Sequence, residues 1–158
     1  MLFRSPFIVH WPGHVEGGRN SGDFFSTVDF VATLGSLCGV RVDPGAGLDH
    51  ADALASATAG PRNAIFAEHY SQDKSADAAS RLMAIKSIRT DRWKLNVYLN
   101  DRSELYDLEG DPHELTNLID RLNYEGVRRD LGNQIVAWLR ETDDPLVDWT
   151  AQVVTNLA

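Results

Sequence analysis

The histidines and the closely spaced acids are the residues of this chain whose types could carry chemistry. His69 is the leading candidate. It closes the apolar run Ala64-Ile65-Phe66-Ala67 beside Glu68, and a polar stretch rich in Ala, Ser and Asp follows to Ser80. A histidine where a strand meets a long loop is a position from which α/β enzymes reach substrate. The plainer reading is a strand-end histidine bonded to a nearby loop. His10 and His14 are four apart, but Pro12-Gly13 separates them, so they do not share a helical face for zinc. His50 and His113 read as surface residues.

The acids divide in the same way. Asp107, Glu109, Asp111 and Glu114 have the spacing of oxygen ligands for a hard cation. Helix capping accounts for two of them: Asp111 suits the N-cap, Pro112 the first helical position, and Glu114 the third, with His113 between. Asp143-Asp144, ahead of Pro145, reads as a solvated helix end. Arg4 either pairs with a carboxylate or points at an anionic substrate. Lys86, Arg89, Arg92 and Lys94 cluster around one hairpin and read as charges on a solvated strand face, the alternative being a basic rim. No Ser or Cys sits in a nucleophile-elbow context, so no catalytic triad has support.

Placing these residues requires the elements. Phe7 to Trp11 reads as a short buried strand closed by Pro12-Gly13. From Asp29 the pattern is helical, with Phe30, Val31, Leu34, Leu37 and Cys38 on one inward face and Gly39 placed to end it. Cys38 is therefore expected in the core. Asp43 to Pro61 lacks periodicity and reads as a surface connection. Strands are expected over Asn63 to His69, Arg81 to Arg89, Trp93 to Leu99 and Glu104 to Leu108. In the third, Trp93, Leu95, Val97 and Leu99 alternate with Lys94, Asn96 and Tyr98, which predicts one buried face. A helix from Tyr124 to Thr142 carries Val127, Leu131, Ile135, Trp138 and Leu139 on one face.

Three separated segments carry a family resemblance. Leu105-Tyr106-Asp107-Leu108, followed by Asp111-Pro112-His113-Glu114-Leu115-Thr116-Asn117-Leu118, is similar to the "LYDL … DP-x-E-x-x-NL" stretch near the C-terminal end of sulfatases. Arg89-Thr90-Asp91-Arg92-Trp93-Lys94-Leu95 resembles their "R-T-x-x-W-K-L". Arg4-Ser5-Pro6-Phe7-Ile8-Val9-His10-Trp11-Pro12-Gly13 resembles "R-x-P-x-I-x-x-W-P-G", and Val28-Asp29 through Thr33-Leu34 their Asp-led helix. The resemblance covers roughly Arg4 to Asp144. It implies an α/β fold, α+β in its C-terminal part. Residues 1–61 would be a remnant of the large α/β layer of the sulfatases. Residues 62–145 would be a small antiparallel four-stranded sheet packed on a C-terminal helix, and 146–158 a tail.

The resemblance also implies where the chemistry lies. Sulfatases use a formylglycine made within C/S-x-P-x-R, and a calcium ion held by carboxylates. The prolines here are preceded at the required spacing by Arg4, His10, Val42, Ala59, Gly110 and Asp143, so the motif is absent. Calcium and formylglycine are thus expected in the intact family enzyme and not from this chain, which begins at a segment that follows the catalytic part. No residue is assigned as catalytic or metal-binding, and His69 is the one candidate substrate contact.

With 158 residues and a net charge of -8, the chain has the size of about one domain and no bulk attraction for nucleic acid or an anionic membrane. No apolar run approaches the ~20 residues of a membrane span. The one cysteine excludes an intrachain disulfide. The expected function is that of the C-terminal region of a sulfatase-like hydrolase of the alkaline-phosphatase-like superfamily, acting on a sulfate ester only in the intact enzyme. The alternatives are the same part of a phosphonate or phosphodiester hydrolase, or a non-catalytic binding module. Self-association through an exposed sheet edge is the further contact this pattern suggests.

Overall fold

The computed structural model describes residues 6–56, 58–72 and 82–157. The chain divides into two units, Met1–Arg62 and Asn63–Ala158.

The first unit contains helix α1, Asp29–Leu37, and the short helix α2, Ala51–Ser56, within what read as a surface connection. Gly39 ends α1 as expected, at φ +65°, a conformation that a Cβ would strain. Val40 N and Gly39 N then donate to Gly35 O and Ser36 O, at 2.8 and 3.1 Å. The inward face of α1 is not the expected one. It buries Asp29, Ala32, Thr33 and Gly35, while Phe30, Val31, Leu34 and Cys38 are exposed. The cause is Asp29, whose buried carboxylate is a fixed acceptor and turns its side of the helix inward. Arg4 lies outside the described residues. Phe7 to Trp11 form no strand, and Ile8 is 86% exposed. A strand needs a ladder partner, and among the described residues none pairs with this segment. Phe7 instead stacks on Phe25 with ring centroids 4.4 Å apart.

The second unit is a four-stranded antiparallel sheet in the order β1-β2-β3-β4. Its strands are β1 Ile65–Gln72, β2 Leu82–Arg89, β3 Trp93–Tyr98 and β4 Glu104–Asp107. Two helices accompany it, α3 Glu125–Glu141 and α4 Val147–Leu157. Ile88 pairs with Leu95, which pairs with Leu105, and all three belong to the fully buried core with Leu131, Ile135 and Leu139 of α3. Phe66 stacks on Trp138 at 5.1 Å, and Trp93 meets the edge of Tyr124 at 5.6 Å. Val147–Leu157, within the stretch read from sequence as a tail (146–158), form α4. Its Val154 sits where a Cβ on Gly132 of α3 would go, and Arg128 Nε of α3 donates to Leu157 O at 2.6 Å.

Two local expectations fail for stated reasons. No helix begins at Pro112, and His113 lies in a turn. The capping box needs the Asp111 N–H free for Glu114, but that N–H donates to Asp107 O at 2.7 Å. Asp111 caps a turn instead, accepting from Thr116 N at 2.8 Å, and Glu114 adopts φ 57°. The alternation of β3 does not leave a solvated face: Lys94 and Asn96 are as buried as Leu95 and Val97.

Candidate functional site

Strand pairing sorts the polar residues of the sheet onto two faces. Glu68 of β1 is opposite Lys86 of β2, which is opposite Val97 of β3, so these side chains share one face. Lys86 is fully buried. Its Nζ lies 2.5 Å from Asp144 Oδ2 and 2.6 Å from Glu68 Oε2, and it also donates to the Tyr70 hydroxyl. Tyr70 Oη donates to Asp144 Oδ2 at 2.8 Å, and Asp144 Oδ1 accepts from Leu146 N at 2.8 Å. Asp144 is therefore no solvated helix end, and Lys86 belongs to no solvated strand face. Burial pushes the Asp144 carboxyl up, but the bonds from Lys86, Leu146 and Tyr70 outweigh it and hold it below the carboxylate range. Burial likewise works against a charged Lys86, and the hydrogen bonds to Asp144, Glu68 and Tyr70 overturn it, raising the ammonium above the lysine range. A lysine held protonated and triply bonded cannot act as a nucleophile or a base. The cluster is scaffold.

On the other face, Ser87 Oγ donates to Asn96 Oδ1 at 2.6 Å. Glu104 Oε2 accepts from Asn96 Nδ2 at 2.8 Å and from Tyr98 Oη at 3.0 Å. The buried Lys94 Nζ lies 2.5 Å from Glu114 Oε2, and burial with the Glu104 charge pushes the Tyr106 hydroxyl up to about 12. His69 stands on this face, opposite Ile85, which is opposite Tyr98. It is mid-strand in β1, exposed, and not at a strand end. Glu68 and His69 are adjacent in sequence, yet the sheet separates them. Of the hairpin cations, only Arg92 stays substantially exposed, bound to Asp107 at 2.8 Å.

The first unit has its own buried charge. Asp29 accepts from Ser26 N and Leu48 N at 2.8 Å each, from Arg62 Nε at 2.6 Å, and lies 3.2 Å from His50 Nε2. His50 is buried, not a surface residue. Burial raises the Asp29 carboxyl, and the Arg62 and backbone bonds more than offset that, leaving it below the usual range. With its lone pairs occupied, it is an anchor for α1 and not a general base.

Among the described residues, no three of His, Cys, Asp and Glu converge on a cation position. Asp107, Asp111 and Glu114 are committed to Arg92, a backbone N–H and Lys94 respectively, so these three do not fit calcium. No helix among the described residues is long and apolar enough to cross a membrane. Sequence reading missed the partnerships of Lys86 with Asp144 and of Asp29 with His50 and Arg62. Only the Asp-led start of α1 gave a local signal for either.

Comparison with known proteins agrees with this architecture. A family model described as "N-sulphoglucosamine sulphohydrolase, C-terminal" matches residues 1–141. The chain is 27% identical over 133 residues to an N-acetylglucosamine-6-O-sulfatase of Bacteroides thetaiotaomicron, covering 81% of this chain and 23% of that protein. The structure of BT4656 in complex with its substrate D-glucosamine-2-N,6-O-disulfate superposes with a TM-score of 0.59 at 24% identity, over 74% of this chain and 24% of that one. The phosphonate monoester hydrolase of Agrobacterium radiobacter gives 0.63 at 26% identity, over 79% of this chain and 26% of that one. The chain thus spans about a quarter of the length of these relatives. With the expected sheet, its packed helix and a family match over most of its length, the chain belongs to the N-sulphoglucosamine sulphohydrolase C-terminal family, the C-terminal region of the sulfatases.

Proposed function

We propose that this chain works as the C-terminal part of a hydrolase that cleaves sulfate esters on amino sugars. The family match over residues 1–141 carries the reading, and the amino-sugar preference draws on the two relatives above that bear it in their names. The nucleophile, a formylglycine in this family, and the calcium that supplies positive charge to the sulfate would come from other parts of the enzyme. The contribution of this chain is a sheet held rigid by its buried charge clusters, presenting His69. An exposed imidazole projecting from a rigid strand can donate to a sulfate oxygen or a sugar hydroxyl without reorganising.

A phosphonate monoester hydrolase is the second reading, favoured by the likeness at 26% identity. The test compares an enzyme carrying this chain on N-acetylglucosamine 6-sulfate and on a phenylphosphonate monoester. The sulfate ester should be turned over with the higher kcat/KM, and His69→Ala should raise KM about tenfold with kcat little changed. Preference for the phosphonate would reverse the assignment.

A further inference from the structure

The turn after Val9 forms a second polar site in the first unit. Pro12 and Gly13 reverse the chain, and His14 N and Val15 N both donate to Trp11 O, at 3.1 and 2.9 Å. This brings His14 against Trp11, with ring centroids 4.3 Å apart and planes inclined by 40°. Gly13 has φ +82°, a conformation that favours glycine, and no atom lies within 4 Å of where its Cβ would stand. His10, Trp11, His14 and Glu16, with Ala55 of α2, line a concavity of about 590 Å³. That volume is within the ~300–1,000 Å³ of small-molecule sites. The indole is half-buried and the two imidazoles are exposed.

The chemistry of this lining is specific. A flat indole offers an apolar surface to the C–H face of a pyranose ring. The imidazoles supply donors and acceptors for hydroxyl or amide groups, and the Glu16 carboxylate accepts from hydroxyls. Among the described residues that line the concavity there is no Lys or Arg, so none of them holds a permanent positive charge against an anion. We infer that the Trp11–His14 turn is a subsite for an unsulfated hexosamine ring of the glycan. This rests on the sulfatase reading for the identity of the glycan, but the binding event needs no catalysis.

The experiment titrates the isotope-labelled 158-residue chain with N-acetylglucosamine and, separately, with its 6-sulfate, following backbone amides. Residues 9–17 should shift saturably with both sugars, and the two dissociation constants should agree within about twofold. Trp11→Ala should weaken binding at least about tenfold, the scale of one lost aromatic contact. His14→Ala should weaken it less. Absence of shifts at 9–17, unchanged affinity in Trp11→Ala, or a sulfated sugar bound tenfold more tightly overturns the subsite. Those outcomes leave the sulfatase reading to its own turnover assay, and a phosphonate preference there leaves sugar binding at Trp11 intact.

Discussion

Lys86 Nζ and Asp144 Oδ2 lie 2.5 Å apart although 58 positions separate the residues in sequence. The pair ties the middle of β2 to the corner between α3 and α4, and Asp144 also caps the start of α4 through Leu146 N. Removing Lys86 leaves Asp144 buried without its counter-charge, whereas removing Asp144 leaves Lys86 paired with Glu68 at 2.6 Å. Lys86→Ala should destabilise the second unit by ~3–5 kcal/mol, and Asp144→Ala by less. Urea unfolding followed at Trp93, Trp138 and Trp149 reads this, and a midpoint unchanged in both variants would refute the burial of the pair.

The same pair sets a pH dependence. The carboxyl of Asp144 is lower in the folded state than its unfolded ~3.9, so its stabilisation is present above that value and lost as pH falls through the folded one. Lys86 is raised above its unfolded ~10.4, so its contribution is complete below that value and lost as pH rises through the folded one. Stability of the second unit should therefore be flat between ~4 and ~10 as far as this pair is concerned, with an acid limb and an alkaline limb. Asp144→Asn should flatten the acid limb, which unfolding curves at stepped pH will show.

Gly132 is where α3 and α4 touch, because any Cβ there collides with the side chain of Val154. Gly132→Ala should separate the helices and cost ~1–3 kcal/mol, the scale of overpacking. Val154→Ala added to it should recover part of that loss. Failure of the second substitution to help would mean the helices do not pack at this point.

Core and exposed apolar residues should respond oppositely. Leu131 and Leu139 are buried, and truncation of either to Ala should cost ~2–5 kcal/mol. Val31 and Leu34 are half exposed on α1, and Val31→Ser or Leu34→Ser should change stability of the isolated chain by less than ~0.5 kcal/mol. A large loss from Val31→Ser would restore the inward apolar face that periodicity suggested. Thermal scans of the four variants decide it.

The 158-residue chain alone should not turn over an aryl sulfate, with or without calcium and the formylglycine-generating enzyme. The motivation is the missing C/S-x-P-x-R motif and the acids already committed to other partners. Turnover above a buffer blank that survives repurification would place a nucleophile in this chain.

Much of the second unit was legible in sequence because its signals are local. Strand alternation and the stripe from Val127 to Leu139 each depend on neighbours a few positions away. They determined an antiparallel four-stranded sheet against a helix, and with the family motifs they determined which enzymes this chain resembles. What they could not determine is the fate of the charges. Whether Lys86, Lys94, His50 and Asp144 face water or a buried partner depends on carboxylates, cations and helix corners brought near from distant parts of the chain. The inward face of α1 was decided by Asp29 meeting Arg62 and His50, overriding an apolar stripe that periodicity alone would bury. A buried ion pair is favourable only when both members arrive together with their hydrogen bonds satisfied, and tertiary structure alone brings them together.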